Sequence, residues 1–236
     1  MNRKFSTIIL GAGLAEIEST SKTANSRANL IELNITNQKS AGSTVLVIKK
    51  SLTENLKKIM NIDGVTIIEV ERNKGALASA AIAASVLNDE NSVLILPLES
   101  LVDPNIIKEF VEKMINEEMV SGCIVFKSSN SNFSYVRNGP KNEILEIAEK
   151  RIIGNLATTG IFYFSSKEKF LEACSWSFTN NVMINNQFYL APILNYFILK
   201  KNKIGYLEIL EDQYFRFSNA SETQQTIERM ANHEQL

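Results

Sequence analysis

The 236 residues carry 25 Lys and Arg against 26 Asp and Glu, a formal net charge of −1, with 44% hydrophobic and 22% charged residues. That balance predicts one large soluble α/β domain with a substantial core, and it argues against nucleic acid as the main partner, because a phosphate backbone is held by a surplus of cations. The single histidine, His233, lies in a polar tail, and the only cysteines, Cys123 and Cys174, sit in an apolar run and a helix-like stretch; histidine-base chemistry, a disulfide framework and a zinc site are disfavoured together.

No apolar run has the length to cross a bilayer, and Met1 to Thr7 leads directly into a strand-like segment, so no membrane association and a cytoplasmic location are expected. Phe5 to Leu10 reads as a strand ending in the turn Gly11-Ala12-Gly13, where glycine lets backbone N–H groups approach a phosphate. Residues 14–29 and 34–44 are polar without periodicity and read as loops around the apolar island Leu30-Ile31-Glu32-Leu33. Thr44 to Lys49 is a buried strand. Ser51-Leu52-Thr53-Glu54 is a capping box opening a helix toward Met60, Val65 to Val70 is a third strand, and Gly75 to Leu87 is an Ala-rich helix.

The stretch Val93 to Leu98 is almost wholly aliphatic without alternation, as expected of a strand covered by helices on both faces, and Pro97 stops its ladder. Glu99 then stands at the carboxyl edge, where open α/β sheets bind ligands; its other reading is an exposed loop acid. Asp103 before Pro104 reads as the N-cap of a helix whose stripe Ile106, Ile107, Phe110, Val111, Met114 and Ile115 faces the core. Strand and helix alternate to this point, which implies parallel strands joined by right-handed crossovers.

After Glu118 the pattern changes to strands with short connections at Val120 to Phe126, Phe133 to Val136, Ile144 to Glu149 and Gly160 to Phe164, a mixed or antiparallel region. Helices follow near Lys167 to Ala173 and Gln187 to Lys200, then a strand at Ile204 to Ile209 and an amphipathic helix from Ser221 to Met230. No linker or repeat divides the chain. The prediction is one domain over residues 1–236, a three-layer α/β/α fold with a mixed, mostly parallel central sheet, residues 1–119 forming one half and 120–236 the other.

Several segments resemble the sugar-phosphate nucleotidyltransferases of capsule and surface-polysaccharide synthesis: Asn73-Lys74-Gly75-Ala76, Leu94 to Asp103, Phe133-Ser134-Tyr135-Val136, Ile147 to Ile152 leading to Ala157 to Phe164, and Asn185 to Asn195. Order and spacing match over roughly residues 65–210. The resemblance implies a nucleotide-diphospho-sugar transferase fold, like that of GT-A glycosyltransferases. The implied reaction moves a nucleotidyl group from a nucleoside triphosphate to a sugar 1-phosphate with pyrophosphate release and Mg²⁺ at the central strand. Nucleotide and sugar phosphate are then the ligands, and a homo-oligomer is compatible with it. By this resemblance Glu149 meets sugar hydroxyls, Lys150 meets the sugar phosphate, Gly160 belongs to the sugar pocket with Tyr135 as a further substrate contact, and Gly75 belongs to the base-binding turn. Gly11 and Gly13 correspond to the phosphate loop and Glu99 to the metal-holding aspartate. Tyr189, Pro192 and Asn195 are assigned to helix packing and to the start of the helix.

The opening loop departs from the family pattern. Gly11-Ala12-Gly13-Leu14-Ala15-Glu16-Ile17 has no arginine, and Ser26-Arg27-Ala28-Asn29-Leu30-Ile31-Glu32-Leu33 lacks both prolines and the lysine of the family's second segment, leaving Arg27 or Lys22 as the candidate cation. Two readings stay open: a working enzyme with an unusual phosphate loop, with Glu99, Lys150 and Arg27 as catalytic groups, and a non-catalytic relative that binds a sugar nucleotide or serves as a partner in the same pathway.

Overall fold

The computed structural model describes residues 5–12, 22–38, 43–51, 64–71, 74–87 and 91–233. Four parallel strands form the first part of the sheet: β1 (Phe5–Gly11), β2 (Thr44–Lys49), β3 (Thr66–Val70) and β4 (Ser92–Pro97), in the order β3-β2-β1-β4. The short β5 (Ser100–Leu101) leaves this plane and later pairs antiparallel with β11 (Phe215–Arg216), Arg216 opposite Ser100. The second part holds β6 (Ser121–Lys127), β9 (Leu156–Phe164) and β10 (Ile204–Ile209). β9 lies between β4 and β6 and runs antiparallel to both, while β10 runs parallel to β6 at the outer edge. A hairpin of β7 (Tyr135–Asn138) and β8 (Ile144–Ala148) hangs from β9.

Successive residues of the central strands enter opposite layers, because strand side chains alternate across a sheet. Ile8, Val45, Val47, Val93 and Ile95 join the cluster under α2 (Ala76–Ser85), α4 (Lys167–Thr179) and α5 (Leu194–Leu199). Ile9, Leu46, Ile48, Leu94 and Leu96 join the one that includes Ile31 and Ile35 of α1 (Lys22–Asn37) and Phe110 and Met114 of α3 (Pro104–Asn116). α6 (Ala220–His233) packs beside α1. The expected three-layer α/β/α arrangement with a mixed, mostly parallel sheet is present.

Two expectations are corrected. Residues 22–29 and 34–37 are helical in α1, not loop. Its buried face runs Arg27, Ala28, Leu30, Ile31, Asn34 and Ile35, a helical period whose apolar signal is interrupted by two polar residues with distant partners. The helix expected from Gln187 to Lys200 is α-helical only over Leu194–Leu199, after a 3₁₀ turn at Ala191–Ile193. Asn185 and Asn186, with φ of 50° and 58°, form a tight turn that pairs Gln187 back onto Ile184, and the Phe188 backbone bonds to Lys74 and Leu77, so neither Gln187 nor Phe188 is left to open the helix. The helix expected from Ser51 onward lies outside the described residues past Ser51. Asp103 caps α3, its carboxylate accepting from the Asn105 N–H at 2.7 Å. Among the described residues no helix is long and apolar enough to cross a membrane.

Candidate functional site

A cleft of about 530 Å³ opens beyond the carboxyl ends of β1 and β4. One wall is the end of β4 with Pro97 and Glu99; the other carries Ser134, Glu149, Thr158 and Gly160, and Gly75, Ser79, Gln187 and Tyr189 close the end. A smaller lobe of about 220 Å³ shares Pro97, Glu99, Ser134 and Gly160 with the cleft and continues to Phe133, Tyr214, Arg216 and Ser218.

Glu99 is held in place by α1. Pro97 ends β4 because it has no N–H to give, and the carbonyls of Pro97 and Leu98 are taken by the Asn34 side-chain amide at 3.2 and 2.9 Å. Two turns earlier on the same helix face, the Arg27 guanidinium donates to the Glu99 carboxylate and to the Ser218 carbonyl, the latter at 2.9 Å. Burial pushes the Glu99 carboxyl upward, opposed by the Arg27 bond and charge; Glu222 adds to the rise and Arg216 reduces it. Arg27 is itself buried, and among the described residues its Nε has no hydrogen-bond partner.

The opposite wall is built from β8. Asn195, at the start of α5, receives the Ile147 N–H at 3.1 Å and donates to the Ile147 carbonyl at 2.8 Å, binding β8 as a neighbouring strand would. Beyond Ala148 the chain delivers Glu149 into the cleft, where the Ser134 hydroxyl donates to its carboxylate. Burial pushes the Glu149 carboxyl above the ordinary range, with the Ser134 bond and the Lys150 charge opposing. Lys150 has a left-handed backbone, φ 51°, and donates to the Tyr189 hydroxyl at 3.0 Å, a bond that raises its affinity for protons. Its ammonium also lies 5.0 Å from the Tyr189 ring centre.

Backbone approach explains two glycines. Gly75 has φ 114°, and a Cβ there would meet the Phe188 carbonyl oxygen at 2.3 Å; the Phe188 N–H donates to the Lys74 carbonyl and its carbonyl accepts from Leu77 N–H. This contact fixes the segment carrying Gln187 and Tyr189 against the start of α2. Gly160, φ 86°, lets β9 pass under Pro97, whose ring a Cβ would meet at 3.3 Å.

The structure brings Glu99, Glu149, Gly75 and Gly160 to one cleft, with Lys150 tied to its rim through Tyr189. Arg27 stands behind Glu99 and is not part of the cleft lining. Gly11 ends β1 against Leu98, and Gly13 lies outside the described residues. Tyr135 is fully buried in the layer under α3, its hydroxyl donating to the Asn130 carbonyl at 2.9 Å, while the adjacent Ser134 faces the cleft. Ser134 and Arg216 carried no assigned role in the sequence, and Tyr189, assigned to helix packing, instead lines the cleft and accepts from Lys150.

A divalent cation does not fit Glu99 as these residues stand. Its carboxylate accepts from the Arg27 guanidinium, Arg216 belongs to the strand paired beside it, and among the described residues no three His, Cys, Asp or Glu side chains converge.

The same architecture occurs in solved structures. A nucleoside-diphosphate-sugar pyrophosphorylase from Vibrio cholerae RC9 superimposes with a TM-score of 0.70 over 95% of this chain and 99% of that one, at 16% identity. An inositol-1-phosphate CTP transferase from T. maritima gives 0.69 over 96% and 94%, at 17% identity. A CMP:2-keto-3-deoxy-manno-octonic acid synthetase complexed with CTP gives 0.65 over 99% and 100%, at 9% identity. At such identities the likeness concerns the fold alone. No curated protein matches the sequence. The profile of the nucleotidyl transferases, however, matches residues 23–181, from within α1 through β9 and α4 and so across both walls of the cleft. By that match, which spans more than half of its length, the chain belongs to the nucleotidyl transferase family.

Proposed function

We propose that the cleft binds a sugar 1-phosphate beside a nucleoside triphosphate and transfers the nucleotidyl group, in the making of polysaccharide precursors. A phosphate oxygen of the sugar 1-phosphate attacks the α-phosphorus of the nucleotide. The bond from that phosphorus to the bridging oxygen breaks, and pyrophosphate leaves with the electron pair. The observation that carries this reading is the convergence of Glu149 and Glu99, from the two parts of the sheet, on one cleft closed by Gly75 and Gly160.

Each residue then has a task its surroundings suit. Glu149, poised by the Ser134 hydroxyl, accepts from sugar hydroxyls. Lys150 exchanges a neutral partner, the Tyr189 hydroxyl, for the sugar phosphate. The Gly75 turn and Ser79 receive the nucleoside, since nothing larger than glycine fits beside Phe188. Arg27 secures Glu99 and the turn after β4.

The test is to incubate the chain with each nucleoside triphosphate and a panel of sugar 1-phosphates and to measure pyrophosphate. Turnover that falls at least about a hundredfold in Lys150→Ala and Glu149→Ala supports transfer at this site. A second reading, a non-catalytic relative, rests on the buried Arg27–Glu99 pair, which commits the acid at the end of β4. No product across the panel, with nucleotide-sugar binding retained, assigns the chain to the non-catalytic alternative.

A further inference from the structure

The lobe beside the main cleft contains a cation that the sequence reading gave no role. β5 and β11 pair with Arg216 opposite Ser100, so Arg216 lies next to the turn that holds Glu99, and both residues line the same lobe. The Arg216 guanidinium sits 5.1 Å from the Phe133 ring centre and donates to the Ser218 hydroxyl at 3.2 Å. Among the described residues Glu222 forms an ion pair with it at 3.8 Å, longer than a hydrogen bond, and accepts its hydrogen bonds from the Ser218 N–H and hydroxyl. Its side chain is 35% exposed, so the lobe reaches solvent at this point. Glu99 therefore has Arg27 bonded to it from behind and Arg216 beside it in front.

A hard divalent cation seeks several oxygen ligands and is repelled by a neighbouring guanidinium. A phosphate seeks the planar donor fork that a guanidinium presents. We propose that the positive charge at this end of the cleft is supplied by the protein: Arg27 neutralises Glu99, and Arg216 meets an anionic phosphate group of a nucleotide-type ligand, so that ligand binding does not require a divalent metal. The choice of ligand class rests on the function proposed above; the charge arrangement does not.

Two experiments separate these. Calorimetry with a panel of nucleoside diphosphate sugars is run once with Mg²⁺ and once with EDTA. Equal affinity in both, falling about tenfold in Arg216→Gln, is expected. Affinity that appears only with Mg²⁺ and disappears in Glu99→Gln overturns the proposal. In the second experiment Mn²⁺ alone is titrated and followed by its electron paramagnetic resonance signal. The wild-type chain is expected to leave the signal unchanged. Arg27→Gln/Arg216→Asp, which frees Glu99 of its guanidinium and puts a second carboxylate into the same lobe, is expected to capture the ion, and the same variant with Glu99→Gln to lose it again. Capture of Mn²⁺ by the wild-type chain that is lost in Glu99→Gln overturns the proposal even if no sugar nucleotide binds. Failure of every sugar nucleotide with Mn²⁺ behaving as expected overturns the ligand assignment of the preceding subsection and leaves the metal-free charge arrangement supported.

Discussion

The two walls of the cleft handle charge in opposite ways. At the end of β8, Glu149 and Lys150 lean on neutral partners, the hydroxyls of Ser134 and Tyr189, which a ligand can replace without leaving an ion stranded. At the end of β4, Glu99 leans on Arg27, a buried full charge that nothing neutral replaces at equal cost. The first wall keeps its charges available for chemistry; the second spends them on holding the turn.

The largest effect should come from breaking the committed wall. Arg27→Ala leaves Glu99 desolvated beside Glu222 and is expected to destabilise the fold by about 3 kcal/mol in a denaturant melt. Arg27→Met combined with Glu99→Leu should recover most of that loss. Asn195→Ala removes both bonds to Ile147 and is expected to cost about 2 kcal/mol, with a parallel loss of sugar-phosphate affinity because β8 aims Glu149.

A third experiment uses pH. Burial raises the Glu149 carboxyl in the folded state, so the folded chain holds that proton more tightly than the unfolded one. The associated stability is fully present below the unfolded carboxyl's pKa and is lost as pH rises through the folded value. Relative to wild type, Glu149→Gln should therefore gain stability from acid to neutral pH, read as a melting temperature at each pH, while losing sugar-phosphate affinity. The smallest effect is expected of Tyr189→Phe, under about 0.5 kcal/mol in the same melt, since Lys150 can exchange that hydroxyl for water. Equal losses in Arg27→Ala and Tyr189→Phe would erase the contrast between the walls.

The same contrast governs what could be read from the sequence. β2 and β4 were legible because uninterrupted aliphatic runs have few other uses, and α3 because its stripe is wholly apolar. α1 was not. Arg27 and Asn34 occupy its core-facing positions, and the groups that make them tolerable, Glu99 and the carbonyls of Pro97 and Leu98, are more than sixty residues away in sequence. Glu149 and Gly160, singled out by resemblance to a family, both line the cleft. Tyr189 was misplaced because its segment is held by backbone contact with Lys74 and Leu77 and by no local periodicity. Ser134 and Tyr135 were one residue apart, and extended chain sends neighbours to opposite layers, so the choice between them needed the sheet.

The antiparallel strand β9, set between β4 and β6, also dictates the timetable of biosynthesis. Its residues, Leu156 to Phe164, emerge from the ribosome long after β4, so the nascent chain carries an apolar strand with an open hydrogen-bonding edge until they arrive. The β4 edge is paired only once β9 is in place. The middle of the sheet therefore closes on a pairing between strands far apart in sequence, the slow kind of contact in folding.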